Sequence, residues 1–226
     1  MADPLAIAGD NVSMASPPRI CRQGVLLMKL YHFPGACSQA SDISLREAGL
    51  KFDLVKIDRY TKKTADGRDF NEINPKGYVP ALELDNGQVL TENVAVLQYI
   101  ADRAPASKLA PAAGTMERYR LMEWLSYINS EVHKNFSPLF YDDTPEATRQ
   151  SAVKNLSLRI GYIERAIAGK TFLMGEQFTV ADAYLFVVLG WARHVKLDMT
   201  PWPKLKAYLE RIRARPHVVE ALKHKD

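Results

Sequence analysis

Cysteine is scarce in this chain. Two in 226 residues, Cys21 and Cys37, cannot build a disulfide framework, and no His/Cys cluster has the spacing of a zinc site. Long apolar runs are lacking too. The longest, residues 183–192, falls well short of the roughly 20 residues that a membrane-spanning helix requires, so it is expected to form a buried core helix. Neither a membrane nor a metal enters the expectation, and the sparse cysteines fit a reducing compartment, the cytoplasm. The first 27 residues have no sustained periodicity. Asp3 and Asp10 precede any basic residue, so the basic-then-apolar order of a secretory signal is missing. Residues 1–27 therefore read as a disordered extension rich in Ala, Pro, Ser and Gly, with Met28 opening the first convincing strand.

What remains is ordinary globular composition, 47% hydrophobic and 25% charged, enough to bury a core. The net charge of +4 is local. Residues 28–112 hold eleven charges of each sign, whereas residues 193–226 hold nine basic and four acidic side chains. That C-terminal excess has no block of like charge and no interleaved aromatics, which describes a solvated helical face and not a nucleic-acid surface.

Met28-Lys-Leu-Tyr-His-Phe33 predicts a strand that stops at the Pro34-Gly35 turn, and residues 38–48 have near-helical apolar spacing closed by Gly49. With a second strand at residues 52–57 they form a βαβ unit, whose two strands should be parallel. A short helix near residues 68–73 follows, then two short strands around Asp85-Asn86-Gly87 and a helix from Glu92. The order is βαβαββα over residues 28–107. A linker rich in Pro, Ala, Ser and Gly spans 104–114, and beyond it strand signals vanish. Leu121, Leu125, Ile128, Val132, Phe136 and Leu139 mark one amphipathic helix, ended or kinked by Pro138; Val153, Leu156, Ile160, Ile163 and Ile167 mark another. Thr179 and Asp182 are placed to cap the buried helix that follows. The expected fold class is α/β plus all-α, with the all-helical part covering 108–226.

Three places in the first half carry chemistry. Cys37 stands where the first strand turns into the first helix, where the helix dipole favours a thiolate and lowers its pKa; the alternative is a small buried hydrophobe. Val79-Pro80 precedes a strand, and a cis bond there would turn the Val79 backbone toward a ligand, a trans proline at the strand start being the alternative. Thr91-Glu92-Asn93 opens a helix whose amides and polar side chains can hold a carboxylate and an ammonium group, unless Glu92 is a plain N-terminal charge. Trp124, Tyr127, Phe136 and Trp191 of the helical half are either core or the lining of an apolar pocket. Tyr31, a rival activating group, is expected to pack in the sheet.

Together these features match the thioredoxin-like domain of glutathione transferases. From Met28 onward the chain resembles a cytosolic glutathione transferase, and Lys29-Leu-Tyr-His-Phe-Pro-Gly-Ala-Cys-Ser38 resembles the bacterial beta class. Lys62-Lys-Thr-Ala-Asp-Gly67, Asn74-Pro-Lys-Gly-Tyr-Val-Pro80, Thr91-Glu-Asn93 and Glu131-Val-His-Lys134 add to the likeness. The chain departs from the family at His32-Phe33, where relatives tend to carry tyrosine and lysine, and at Asn93, where many carry serine.

The resemblance implies glutathione as co-substrate. Cys37 would face its sulfur and could form a mixed disulfide with it. Val79, beside a cis Pro80, would pair with the cysteinyl backbone, Glu92 and Asn93 would hold the γ-glutamyl end, and Lys62 the glycyl carboxylate. His133 and Lys134 would face the sulfur as cations, and Glu131 would reach a partner subunit's glutathione in a homodimer. The helical domain would take an apolar electrophile, giving a detoxifying conjugation. Glutathione-dependent thiol–disulfide exchange, reductive dehalogenation and a non-catalytic binding module of the same fold are the alternatives.

Overall fold

The computed structural model describes residues 27–223; Cys21 and all but the last residue of the expected extension 1–27 lie outside them. A four-stranded mixed sheet forms from β1 (Met28–His32), β2 (Phe52–Lys56), β3 (Ala81–Glu83) and β4 (Val89–Thr91), in the order β2-β1-β3-β4. β1 runs parallel to β2 with Met28 opposite Phe52, as the crossover rule requires, and antiparallel to β3. Helices α1 (Ser38–Glu47), α2 (Phe70–Ile73) and α3 (Asn93–Arg103) complete the βαβαββα order, so this half has the thioredoxin-like arrangement.

β1 is buried along nearly its whole length, unlike a half-exposed alternating strand, because both of its faces are covered. Leu30 packs with Leu45 of α1 and Val96 and Ile100 of α3 on one face; Tyr31, its neighbour, packs with Phe70 of α2 on the other. The Tyr31 hydroxyl donates to Glu83 at 2.6 Å, so this tyrosine is fixed in the sheet as expected.

The helical half comprises α4 (Met116–Tyr127), α5 (Lys134–Phe136), α6 (Glu146–Ala166), α7 (Val180–Gly190), α8 (Pro203–Arg213) and α9 (Pro216–Leu222). The single amphipathic helix expected over 121–139 is broken up. α4 passes into a π-helical segment, Ile128–His133, then α5, then a 3-10 turn, Ser137–Phe140, where Pro138 lacks the amide that an α-helix would need. α7 is the expected buried helix, with every residue from Val180 to Leu189 buried. Its start is held by Asp182, which accepts from the Thr179 backbone N–H and hydroxyl, both at 2.8 Å, and from the Leu173 N–H at 2.8 Å and the Tyr208 hydroxyl at 2.6 Å.

The two halves share one core. Ala40, Ile43, Leu97 and Ala101 from α1 and α3 pack into the apolar cluster of the helical half. Polar ties reinforce this: Arg118 of α4 grips Asp102 of α3 through both terminal nitrogens at 2.7 and 2.9 Å, and Arg215 grips Glu47 of α1 at 2.7 and 2.8 Å. Any cleft between the halves is therefore built on a rigid joint. Among the described residues no helix is long and apolar enough to cross a membrane.

Candidate active site

The turn after β1 sets the first element of the site. Gly35 adopts φ +74°, a conformation that costs a residue with a side chain, and the Ala36 N–H closes the turn on the Phe33 carbonyl at 3.2 Å. This places Cys37 as the N-cap of α1, where its sulfur donates to the Val79 carbonyl at 3.3 Å. The Val79–Pro80 peptide is cis. Two of the three sequence motifs thus meet at one sulfur.

The protonation state of that sulfur differs from expectation. Burial pushes the Cys37 thiol up to about 12, outweighing the backbone amides of Cys37 and Ser38 that favour the thiolate; Glu92 pushes it further up and Lys134 pulls it down. Helix-terminal charge is a fraction of an elementary charge, whereas removal from water penalises the whole thiolate. Cys37 is a neutral thiol, and a thiol is what a hydrogen bond to a carbonyl requires.

The third motif adjoins them. Glu92 caps α3 with φ +69°, a backbone conformation that costs a non-glycine residue about 1–3 kcal/mol. Its carboxylate pairs with Lys76 at 2.8 Å on an exposed rim. Asn93 is buried behind it. The Asn93 Oδ1 accepts from Ser41 of α1 at 2.9 Å, while its amide nitrogen has no hydrogen-bond partner among the described residues. An unspent buried donor at the first turn of a helix is a ready anion contact. Lys62 stands over the Phe33 ring at 4.8 Å and donates to the Gly77 carbonyl at 3.1 Å, so it borders the same turns.

The helical half supplies the opposite wall. His133 lies edge-on to Trp191 with ring centres 4.7 Å apart, and the Trp191 indole N–H donates to the Gly35 carbonyl at 2.8 Å. Phe136 and Phe140 pack on the same indole. Burial lowers the His133 pKa to about 4, with Lys134 adding to the effect, so His133 is a neutral ring and not the cation expected. Lys134 is exposed and remains the cation that favours charge on the Cys37 sulfur.

Other candidates separate from this group. Glu131 is held by Arg159 of its own chain at 2.7 Å. Trp124 and Tyr127 cluster with Tyr162 of α6, leaving Trp191 and Phe136 as the aromatic members beside His133.

Sequence reasoning missed Tyr184, Asn129 and Lys76. Tyr184 lies within the apolar run of α7, yet its hydroxyl reaches His133 Nδ1 at 2.7 Å and Asn129 Oδ1 at 3.0 Å. Burial holds that phenol far above its ordinary pKa, with the Cys37 sulfur and Glu92 adding to the push and the nearby Asn93 amide opposing it. A lone phenol in a run otherwise free of polar tips was the available signal.

Comparison with known proteins bears on this arrangement. The family model described as glutathione S-transferase, N-terminal domain, matches residues 27–102, and that of the C-terminal domain matches residues 122–216. Glutathione S-transferase GstA of Escherichia coli O157:H7 is 45% identical over 86% of this chain and 97% of its own. Among solved structures, the bacterial beta class glutathione S-transferase of Sphingomonas chungbukensis has a TM-score of 0.84 at 48% identity, covering 87% of this chain and 98% of its own. A sphingomonad glutathione S-transferase complexed with glutathione has a TM-score of 0.84 at 47% identity, with the same coverage.

Proposed function

This chain belongs to the glutathione S-transferase family and is a glutathione transferase, and from that premise we propose that it joins glutathione to apolar electrophiles at the cleft beside Cys37. The observation that carries the reading is the Cys37 thiol on the Val79 carbonyl at 3.3 Å, beside the cis peptide, with the unspent Asn93 donor at the start of α3. In this reading the Val79 backbone pairs with the cysteinyl part of glutathione, Glu92 and Asn93 hold its γ-glutamyl end, and Lys62 takes the glycyl carboxylate. A relative's structure with glutathione bound supports the ligand.

Glutathione at neutral pH is mostly thiol, and its thiolate is the nucleophile. A neutral Cys37 serves that thiolate well. Two thiolates in contact would repel, whereas a protonated Cys37, released from the Val79 carbonyl as glutathione pairs there, donates its one hydrogen to the thiolate, and Lys134 supplies the positive charge. Phe140, exposed beside the Trp191 indole and backed by the fully buried Phe136, then gives an apolar electrophile its contact, and rate follows from ionisation and proximity. The thiolate sulfur bonds to the electrophilic carbon as the leaving group departs with its electron pair.

Cys37 can also enter thiol–disulfide exchange, with glutathione disulfide as the oxidant: its thiolate bonds to one sulfur and the other glutathione leaves as thiolate. The raised Cys37 thiol makes this the slower chemistry near neutrality. We propose further that the protein is cytoplasmic and acts as a homodimer, in which Glu131 exchanges Arg159 for the partner's glutathione.

Retention on immobilised glutathione with turnover of an activated aryl halide is the expected result. A Cys37→Ala variant should keep conjugation at a rate about tenfold lower, the equivalent of one lost hydrogen bond, and lose glutathione-dependent disulfide reduction altogether. A protein with neither retention nor turnover would be a binding module, and the reading would fail.

A further inference from the structure

Tyr184 joins two residues of the π-helical segment. Its hydroxyl lies 2.7 Å from His133 Nδ1 and 3.0 Å from Asn129 Oδ1. Asn129 and His133 are four residues apart, so both side chains leave the same side of the helix, toward α7. A phenol has one proton to give, and the Asn129 carbonyl oxygen can only accept. The proton therefore lies between Tyr184 and Asn129, and the phenol turns a lone pair to His133. Across 2.7 Å, His133 Nδ1 must then carry hydrogen. A neutral imidazole has a single N–H, so its other nitrogen, Nε2, is left as a bare acceptor.

We propose that Asn129 and Tyr184 are positioning residues that fix His133 as the Nδ1–H tautomer, making its Nε2 the hydrogen-bond acceptor for the glutathione thiol. The last clause rests on the function proposed above; the tautomer itself does not. Burial supports the assignment, since it keeps the ring neutral down to about pH 4 and keeps the phenol protonated. The edge contact with Trp191 limits rotation of the ring, and Trp191 in turn is tied to the Gly35 turn that carries Cys37. When the thiol gives its proton to Nε2, the products are an imidazolium and a thiolate side by side, and the imidazolium returns the proton to solvent after the sulfur–carbon bond has formed.

The test is nitrogen-15 NMR of the imidazole rings in the full chain, with the His133 signals assigned by their loss in His133→Gln. Wild type should give the Nδ1–H pattern at neutral pH. Tyr184→Phe and Asn129→Leu should both lose it, and Asn129→Asp, which offers only acceptors, should retain it. Tyr184→Phe should also lower kcat about tenfold, the equivalent of one hydrogen bond, with KM for glutathione unchanged. An Nε2–H pattern in wild type, or no change in Tyr184→Phe and Asn129→Leu, overturns the inference. Because the spectra need no glutathione, the expected pattern in a protein without conjugating activity would uphold the tautomer and overturn the catalytic reading instead.

Discussion

The Trp191 indole N–H donates to the Gly35 carbonyl at 2.8 Å, and the two residues are 156 positions apart in the chain. One hydrogen bond thus ties the turn that carries Cys37 to the end of α7. Trp191→Phe would keep most of the ring and remove the donor, leaving the carbonyl of a half-buried turn unpaired. A loss of about 1–3 kcal/mol is expected in urea unfolding, together with faster alkylation of Cys37 as the turn loosens. An unchanged midpoint and an unchanged alkylation rate would count against this tie.

The raised Cys37 thiol makes a kinetic statement. Only thiolate reacts with iodoacetamide, and with the thiol at about 12 its fraction climbs steadily through the neutral and alkaline range. Alkylation of Cys37 should accelerate about tenfold per pH unit from about pH 7 to about pH 10, with no plateau. A plateau below about pH 9 would show that the helix dipole, and not burial, governs this sulfur.

His133 should make stability fall in acid. Its pKa is about 4 in the folded chain and 6.5 as a free side chain, so between those values the unfolded state binds a proton that the folded state does not. Its contribution is complete above the higher value and is lost as pH drops toward the lower, with a slope approaching about 1.4 kcal/mol per pH unit. Urea unfolding of wild type and His133→Gln at several values of pH should show a difference in slope confined to that window. Parallel curves throughout would rule it out.

Asp182 gathers four hydrogen bonds while fully buried, and burial raises its pKa against their opposing pull. Asp182→Ala would strand the Thr179 and Leu173 amides and the Tyr208 hydroxyl, at a cost of about 3 kcal/mol or more. Tyr208→Phe, which removes one donor and adds no cavity, should cost about 1 kcal/mol. Equal losses in the two variants would contradict the view that Asp182 organises this junction.

Arg215 grips Glu47 with two nitrogens while its guanidinium lies 4.2 Å from the centre of the Phe178 ring. Lysine offers neither the fork nor the flat face. Arg215→Lys should therefore recover less than half of the stability lost in Arg215→Ala, a loss expected at about 2–3 kcal/mol because Glu47 would be left nearly buried and unpaired. Full recovery in the lysine variant would reduce the contact to simple charge.

Much of the fold was legible in the chain. The Pro34-Gly35 and Asn86-Gly87 turns, the heptad-like spacing of Leu121 to Val132 and the Thr179/Asp182 cap are local signals, and each is a property of neighbours along the backbone. Cys37, Val79 and Asn93 were found the same way, since a strand-to-helix turn, a proline before a strand and a helix start are all written within a few residues. The break in the helix after Tyr127 was not, because a π-helical turn leaves no local mark of its own.

Charge at the site was beyond the reach of sequence. Local reading gave Cys37 a lowered pKa, and the family resemblance gave His133 a positive charge; burial by residues distant in the chain pushes both the other way. Desolvation depends on everything packed within a few ångströms, and that set is chosen by the joining of α1, the π-helical segment and α7, not by spacing along the chain. Tyr184 belongs to the same class. The sequence determined that its helix would be buried, and only the tertiary structure decided that the Tyr184 hydroxyl would face His133, since direction around a fully buried helix is fixed by its partners and leaves no amphipathic pattern to read.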